Sequence, residues 1–152
     1  IRRQVEHTAY KGNRPEKAEG VAAQMPYIEP MVAMLGLKYL ALPGFEADDL
    51  IGTLARQAEE AGVECEILTA DKDLLQLVTQ KTKVIHTKWE NLLLGPTEVL
   101  EKFGVRPDQV IDTLALMGDA SDNFTGVTGI RETTANALIT KSDSLDGVAA
   151  HL

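Results

Sequence analysis

The sequence predicts an α/β fold in which a parallel sheet with covering helices is followed by a helical unit. Helix-like and strand-like apolar patterns alternate between residues 18 and 87, which indicates the parallel sheet. After Pro96 only helix-like patterns follow one another, which indicates the second unit. In a chain of 152 residues, we expect an α/β unit at 1–95 and a helical unit at 96–152.

Apolar spacing defines the elements of the first unit, after a polar segment at 1–17 that we expect to be irregular. Pro26 and Pro30 predict a kink or a break in the first helix. Gly62 caps the second helix, and alternating apolar residues predict the strand that ends at Thr69. In order, the predicted elements are a helix at 18–35, a strand at 37–42, a helix at 48–61, a strand at 63–69, a short helix at 74–78 and a strand at 83–87.

The second unit is predicted to be helical throughout. Gly104 ends its first helix, and Gly126 and Gly129 punctuate a tight turn between two later helices. In order, the predicted helices cover residues 96–103, 107–117, 132–139 and 144–152.

Seven carboxylates lie in three short clusters, each beside the end of a predicted element. The clusters are Glu46, Asp48 and Asp49; Asp71 and Asp73; and Asp119 and Asp122. Carboxylates packed together repel one another unless a cation lies among them, and hard divalent ions such as Mg²⁺ prefer oxygen ligands. Pairs of such ions hydrolyse phosphodiesters. The clusters therefore indicate a metal-dependent nuclease.

Each cluster also has a structural interpretation. Acidic residues at 46–49 suit the capping of a helix N-terminus. Asp71 and Asp73 follow a strand end, where parallel sheets bind ligands and where extended backbone would point both side chains to one side. They suit the capping of the next helix equally well, and Lys72 is a candidate to neutralise them. The third cluster shares a face at helical spacing, or is simply a polar loop.

The net charge of −8 is unusual for a nucleic-acid-binding protein, but the clustered carboxylates account for most of it. The first 17 residues are instead mainly basic, with Arg2, Arg3, Lys11, Arg14 and Lys17 against Glu6 and Glu16. A basic segment facing an acidic metal site suits a phosphodiesterase. The alternative is an acidic protein with an incidental basic end.

Composition narrows the class of protein further. No apolar run approaches the ~20 residues of a membrane span, and we expect a fragment of a longer protein because the chain begins at Ile1 without Met. The single Cys65 excludes an internal disulfide and fits a reducing compartment. The three histidines, His7, His86 and His151, lie near no cluster in the sequence, and we expect surface or satisfied core positions for them.

Two further motifs suit the binding of phosphate. Residues 123–130 form a glycine-flanked apolar turn between predicted helices, where backbone N–H groups can bind phosphate, although a purely structural turn is the alternative. Tyr10, Lys11 and Arg14 surround a flexible glycine and offer an aromatic ring, a point charge and a guanidinium.

In chain order, five motifs resemble those of the bacterial and phage 5′-nuclease family. That family includes the N-terminal 5′–3′ exonuclease domain of DNA polymerase I and, more distantly, the flap endonucleases. The motifs lie at residues 10–15, 44–49, 71–77, 116–123 and 126–130. The resemblance implies a PIN-like parallel-sheet core, followed by a helix–three-turn–helix region that tracks duplex DNA.

The resemblance also implies roles for individual residues. Its implied first metal site is Glu46, Asp48, Asp49 and Asp71, and its second is Asp73, Asp119 and Asp122, with Asp71 close to both. The implied catalytic residues are Lys11, Arg14 and Asp71. The implied DNA contacts are Tyr10, Lys11, Arg14, Gly126, Val127, Gly129, Ile130 and Arg131. The implied cofactors are two Mg²⁺ or Mn²⁺ ions, with K⁺ at the hairpin.

The chain departs from the family pattern in two respects. The family's catalytic domain begins with strands that carry further metal-binding Asp residues, and both strands would lie upstream of Ile1. We therefore expect an incomplete metal site. The family commonly has Pro at Thr125 and Thr128, Gly at Arg131 and Lys at Thr133, so we expect a looser hairpin in which Arg131 replaces the lost phosphate contact.

These inferences predict a structure-selective, divalent-metal-dependent 5′–3′ exonuclease and flap endonuclease that acts on DNA in replication and repair. We expect a cytoplasmic, nucleoid-associated monomer without membrane contact. Its expected partners are DNA with 5′ ends or flaps, RNA–DNA hybrid ends, and a polymerase domain in the same parent chain. The alternatives are a catalytically incomplete fragment that only binds nucleic acid, and a general RNA-cleaving domain of similar topology without the hairpin.

Overall fold

A computed structural model of the chain describes residues 9–16 and 18–150. The helices are α1 (Glu19–Ala22), α2 (Met25–Met34), α3 (Ala47–Glu60), α4 (Pro96–Phe103), α5 (Val110–Met117), α6 (Glu132–Ser142) and α7 (Leu145–Ala149). The strands are β1 (Cys65–Thr69), β2 (Thr82–His86), β3 (Leu92–Leu94), β4 (Gly118–Asp119) and β5 (Phe124–Thr125). Short 3-10 helices cover Lys72–Leu77, Thr87–Trp89 and Pro107–Gln109. Expectations for Arg2, Arg3, Glu6, Lys17, His7 and His151 lie outside the described residues.

The first unit is built on a three-stranded sheet in the order β1-β2-β3. β1 and β2 are parallel, and Thr69 pairs with His86, so the carboxyl ends of both strands lie side by side. β3 is antiparallel to β2 and was not predicted. The fully buried Leu75, Val84 and Leu94 fix the sheet against the 3-10 helix Lys72–Leu77.

The second unit packs α5, α6 and α7 into the same continuous core. Val110, Ala135 and Ile139 are fully buried there. A two-stranded antiparallel ladder of β4 and β5, absent from the predictions, follows α5 directly. Within the described residues, no helix has the length and apolar character needed to cross a bilayer.

Several predicted elements are corrected by the structure. The predicted helix at 18–35 is two helices that break at Ala23–Gln24, and Pro30 lies inside the second without ending it. The predicted strand at 37–42 was wrong: these residues have no regular structure, and Leu37 and Leu40 are exposed. A strand needs a neighbour to satisfy its backbone groups, and the described residues offer none there. The helix predicted at 74–78 is the 3-10 helix Lys72–Leu77.

Candidate metal and phosphate site

A cleft of about 1080 Å³ opens beside the carboxyl ends of β1 and β2. Parallel sheets bind ligands at this edge, and Asp71, just beyond β1, lines the cleft. Asp48 from the first turn of α3 and Asp119 from β4 line it as well. One carboxylate from each of the three sequence clusters therefore lies around a single opening.

A hollow of about 430 Å³ adjoins this cleft, and Asp119 lines both. Asp73 and Asp122 complete the acidic lining of the hollow. Asp49 lines neither: it faces a separate groove, and its carboxylate accepts the backbone N–H of Glu46 at 2.9 Å. The capping interpretation of the first cluster is therefore realised by Asp49.

The N-terminal turn (residues 10–14) packs on the Asp119 loop (residues 119–123). The backbone N–H of Lys11 donates to the carbonyl of Asp122 at 3.1 Å. The side-chain amide of Asn13 donates to a second loop carbonyl at 2.9 Å. These contacts join segments more than 100 residues apart and bring the basic turn to the acidic edge of the sheet.

Glu46 is held by two donors from the N-terminal turn. The Tyr10 hydroxyl and the Lys11 ammonium both donate to Glu46 Oε2, at 2.9 and 2.8 Å. Burial alone would lower the pKa of Lys11, but hydrogen bonds with Glu46 and Tyr10 outweigh it, and the pKa is raised. Tyr10 is buried with its ring tilted against Phe124, at 5.6 Å between centroids. The stacking of Tyr10 on a nucleobase stays a prediction.

Asp119 is held by several donors. Its Oδ1 accepts the backbone N–H of Ser121 at 2.7 Å and the Ser121 hydroxyl at 2.6 Å. Lys72 Nζ lies 3.3 Å from Oδ2. Burial would raise the pKa of Asp119, but Ser121 and Lys72 together lower it. Lys72, a sequence candidate for neutralising its two neighbours, thus forms its ion pair across the cleft. Asp119 and Asp122 lie in a ladder and a turn, not on the predicted helical face.

Asp73 is crowded by like charge. Burial raises its pKa to about 6, and the charges of Asp71 and Asp119 add to the rise. Its Oδ1 is buried and has no hydrogen-bond partner among the described residues. Its backbone N–H donates to Asp71 Oδ1 at 3.0 Å, so Asp71 caps the 3-10 helix while it lines the cleft. The sequence had suggested extended backbone at both acids, but Asp73 lies inside the 3-10 helix.

His86 is the residue that the sequence analysis missed. The parallel register places it beside Thr69, two residues before Asp71, and it lines the cleft. It is 2% exposed, its ring stacks on Trp89 at 4.0 Å, and neither ring nitrogen has a hydrogen-bond partner among the described residues. Burial and the charge of Lys88 lower its pKa. Only the pairing of the two strands would have revealed this position.

The predicted phosphate-binding hairpin begins where two glycines touch. A Cβ on Gly118 would lie 2.4 Å from the backbone nitrogen of Gly126, so a side chain at this contact would displace backbone. The backbone N–H of Val127 donates to the carbonyl of Leu116 at 2.8 Å. The hairpin is thereby fixed to the end of α5, next to Asp119.

The tip of the hairpin faces outward. Val127 is half exposed, and its carbonyl accepts the N–H of Ile130 at 3.0 Å to close the turn. Gly129 has φ +86°, and a Cβ at this position would have no atom within 4 Å. A ligand can therefore approach the backbone closely here. Arg131 is exposed at the N-cap of α6. The DNA contacts of these residues stay predictions.

The donor set of the cleft fits divalent ions that keep much of their water. Among the described residues, no three acidic, Cys or His side chains stand close enough to enclose a metal. Mg²⁺, however, is usually held by one or two carboxylates together with water and substrate oxygens. The buried oxygen Asp73 Oδ1, which lacks a hydrogen bond among the described residues, and the raised pKa of Asp73 are what such a site would show without its cation.

Two family models together match the chain. One, described as a 5′-3′ exonuclease N-terminal resolvase-like domain, matches residues 1–104; the other, a 5′-3′ exonuclease C-terminal SAM fold, matches residues 105–152. A thermostable DNA polymerase I of Thermus thermophilus is 45% identical over 146 residues, which are 96% of this chain and 17% of the polymerase. A 5′-3′ exonuclease of Buchnera aphidicola is 40% identical over 139 residues, which are 91% of this chain and 48% of the exonuclease.

Solved structures show the same fold. The T5 D15 protein, co-crystallised with metal ions, matches with a TM-score of 0.85 and 22% identity, over 99% of this chain and 60% of the other. The catalytic core of Rad2 in complex with DNA substrate matches with a TM-score of 0.58 and 20% identity, over 97% of this chain and 44% of the other. The chain thus spans less than two thirds of the length of these proteins.

Proposed function

Because this chain belongs to the 5′–3′ exonuclease family, we propose that it serves the divalent-metal-dependent hydrolysis of DNA phosphodiester bonds at 5′ ends and flaps. The observation that carries the proposal is the docking of the basic N-terminal turn on the Asp119 loop. That docking brings Lys11 and Arg14 to the acidic edge of the sheet, which supports a role for them in binding a phosphodiester that metal ions would activate.

The chain's own residues divide the work within this site. Lys11 and Arg14 bind the phosphate at the cut, and the backbone of the hairpin holds the duplex through contacts that carry no sequence information. Asp71 stands at the centre of the acidic cleft. Structure-selective recognition follows, because every contact is to backbone phosphate or to a strand end.

The proposed ligands of the ions are the clustered carboxylates. Asp48, Asp71 and Asp119 would serve the cleft, while Asp73, Asp119 and Asp122 would serve the hollow. Glu46 and Asp49 are assigned by the family pattern to the first ion, and their present hydrogen bonds would have to rearrange. Divalent ions held here, Mg²⁺ or Mn²⁺, would polarise the phosphodiester and lower the pKa of a water nucleophile.

Further partners are proposed from the character of the site and from the family. RNA–DNA hybrid ends suit a site that reads shape and phosphate. K⁺ is proposed at the hairpin tip, on the family pattern. We also propose a monomeric, cytoplasmic, nucleoid-associated protein whose parent chain carries a polymerase domain, as the related polymerases do.

Cleavage of a 5′-labelled flap duplex tests the proposal. The chain is incubated with Mg²⁺, with EDTA, and with Mg²⁺ after Asp71→Asn, which keeps the shape of the side chain and removes its charge. Metal-dependent cutting that disappears in the variant supports the proposal. Cutting that persists in Asp71→Asn at the wild-type rate would exclude the assigned role of Asp71.

A binding measurement separates the nuclease from the alternative of a nucleic-acid-binding module. If the chain binds the flap duplex and Mg²⁺ raises its melting temperature without any cutting, the site binds its ligands but lacks catalytic groups. If Mg²⁺ leaves the melting temperature unchanged while DNA still binds, the module is the better description, since a ligand of the folded state must raise its stability.

A further inference from the structure

Three basic side chains of the cleft region are each paired with a carboxylate proposed to bind metal. Lys11 Nζ lies 2.8 Å from Glu46 Oε2, Arg14 lies 2.5 Å from Asp122 Oδ1, and Lys72 lies 3.3 Å from Asp119 Oδ2. Lys11 and Arg14 are also the proposed phosphate contacts. In the metal-free structure, each of these three cations is therefore ion-paired with a carboxylate proposed to bind metal.

The pairs are not ordinary surface ion pairs. The side chains of the three carboxylates are only 11–18% exposed, and half-buried charges are screened less than exposed ones. A carboxylate in this position strongly needs a cation. The three basic side chains supply it, and the Lys11 side chain is itself only 18% exposed.

We propose that Lys11, Arg14 and Lys72 occupy the metal carboxylates in the metal-free protein, and that all three are released on metal binding to become contacts for substrate phosphate. This proposal rests on the proposed function. It assigns Lys72 as a third phosphate-binding residue, because Lys72 lines the same cleft as Arg14 and is paired in the same manner.

The exchange follows from charge and geometry. A divalent ion carries two positive charges, whereas the paired ammonium or guanidinium carries one. The carboxylate therefore binds the divalent ion in its place, and the basic side chain loses its partner. Each basic side chain is then a cation with flexible reach beside an acidic site. A substrate phosphate restores its pairing, and Arg14 offers a planar fork that suits phosphate oxygens.

The consequence is a thermodynamic coupling between the two ligands. If metal binding releases the cations that bind phosphate, then DNA binding must strengthen metal binding by the same factor. The metal-free protein would bind DNA weakly, since its phosphate contacts are occupied internally. If the phosphate contacts were instead the same with and without metal, Arg14 and Lys72 would contribute nothing to the coupling between metal and DNA binding.

Calorimetric titration with Mg²⁺, without DNA, tests the internal occupation. The variants are Arg14→Gln and Lys72→Gln, with Lys88→Gln as the matched control. Lys88 lines the cleft but has no ion pair with a carboxylate among the described residues. We expect Mg²⁺ to bind about threefold or more tightly to the first two variants than to the control, since the ion no longer displaces a cation. Equal affinities for all three variants would overturn the proposal.

A double-mutant cycle in EDTA tests the release, measured as fluorescence anisotropy of a labelled flap duplex. Asp122→Asn should bind DNA about threefold more tightly than wild type, which is roughly the value of one phosphate contact. That gain should vanish in the Asp122→Asn/Arg14→Gln double variant. Asp108→Asn, which removes an equal charge from the partner of the exposed Arg106, controls for net charge.

The outcomes separate this proposal from the proposed function. A gain that persists without Arg14, or that Asp108→Asn reproduces, overturns the exchange while the metal site stands. No binding of Mg²⁺ by wild type overturns both. Melting curves in EDTA verify that each variant is folded, and Arg14→Lys should restore most of the wild-type behaviour because it keeps the charge.

Discussion

The acidic cleft and the Arg106 junction both rest on charged side chains, yet they differ in how well those charges are satisfied. The Arg106 junction consists of Arg106, Asp108, Gln109 and Asp143. There the Arg106 guanidinium donates to Asp108 at 2.8 Å and to Asp143 at 2.9 Å. The side-chain amide of the buried Gln109 accepts the backbone N–H of Arg106 at 3.2 Å. It also donates to the backbone carbonyl of Asp143 at 3.0 Å.

The pKa directions show the same contrast. In the junction, the pKa of Arg106 is raised and that of Asp108 is lowered by their mutual hydrogen bonds, so both charged forms are favoured. In the cleft, the pKa of Asp73 is raised to about 6 by burial and by neighbouring carboxylates. Charges that serve only stability are paired to completion. In the cleft region, Lys11, Arg14 and Lys72 are also paired with carboxylates. The conflict is concentrated at Asp73, and a residue perturbed in this way commonly distinguishes a functional site from the surrounding fold.

The largest expected effect comes from the buried support of the cleft. Leu75→Ala should lower the free energy of unfolding by about 2–5 kcal/mol, because Leu75 is fully buried in the 3-10 helix that carries Asp73. Leu94→Ala, at an equally buried site on β3, is the control. Urea unfolding should give similar losses, but only Leu75→Ala should also weaken Mg²⁺ binding. Equal Mg²⁺ affinity in both variants would show that this helix does not position the acids.

The next effect has the opposite sign. Asp73→Asn should stabilise the metal-free protein by about 1–2 kcal/mol at pH 8, because it removes a charge that folding disfavours. The raised folded-state pKa means that the ionised Asp73 costs stability as the pH rises through about 6. The difference between variant and wild type should therefore be small near pH 4, grow between about pH 4 and pH 6, and stay level above pH 6. A pH-independent difference in melting would contradict this account of the cleft.

The satisfied junction should respond differently. Gln109→Ala should lower the free energy of unfolding by about 1 kcal/mol, since it removes the hydrogen bonds of a buried amide. Because the pKa shifts of Arg106 and Asp108 both favour the charged forms, thermal melts between pH 5 and pH 8 should show the same loss. A loss that varies with pH over this range would remove the distinction drawn between the two regions.

The smallest effect is expected from the exposed pair of the junction. Asp143→Asn should lower the melting temperature by less than about 2 °C, because Arg106 keeps its hydrogen bonds to Asp108 and exposed pairs contribute little. Repeating the melt in about 1 M salt should remove most of the difference, since screening acts fully at an exposed site. A larger, salt-insensitive loss would indicate a buried role for Asp143.

The elements predicted correctly are those with a partner inside the chain. Apolar periodicity located α3, β1 and β2 to within about two residues because each packs on the shared core. The strand predicted at 37–42 failed because its pattern has no neighbouring strand among the described residues. β3 is three residues long, too short for alternation to show, and the ladder of β4 and β5 depends on the long-range contact between two glycines.

The acidic residues of the site were visible in the sequence, but their pairing was not. Clustering near element ends pointed to the five carboxylates that line the cleft and the hollow, since repulsion among carboxylates is a local property, and also to Glu46 and Asp49, which line neither. Which cation meets which acid depends on contacts more than 30 residues apart, such as Lys11 with Glu46 and Arg14 with Asp122. His86 escaped notice for the same reason, because its neighbourhood is set by strand register.

Paramagnetic broadening by Mn²⁺ is the measurement that shows whether the cleft is the metal site. Substoichiometric Mn²⁺ is added to the ¹⁵N-labelled chain, and the backbone amide signals are followed. If the cleft binds the metal, the amides of Asp71, Asp73, Asp119 and Ser121 should broaden first, those of the Arg106 junction should stay sharp, and excess Mg²⁺ should reverse the effect. Broadening that begins at Asp108 and Asp143, or that is spread evenly over the acidic surface, would contradict a metal site in the cleft.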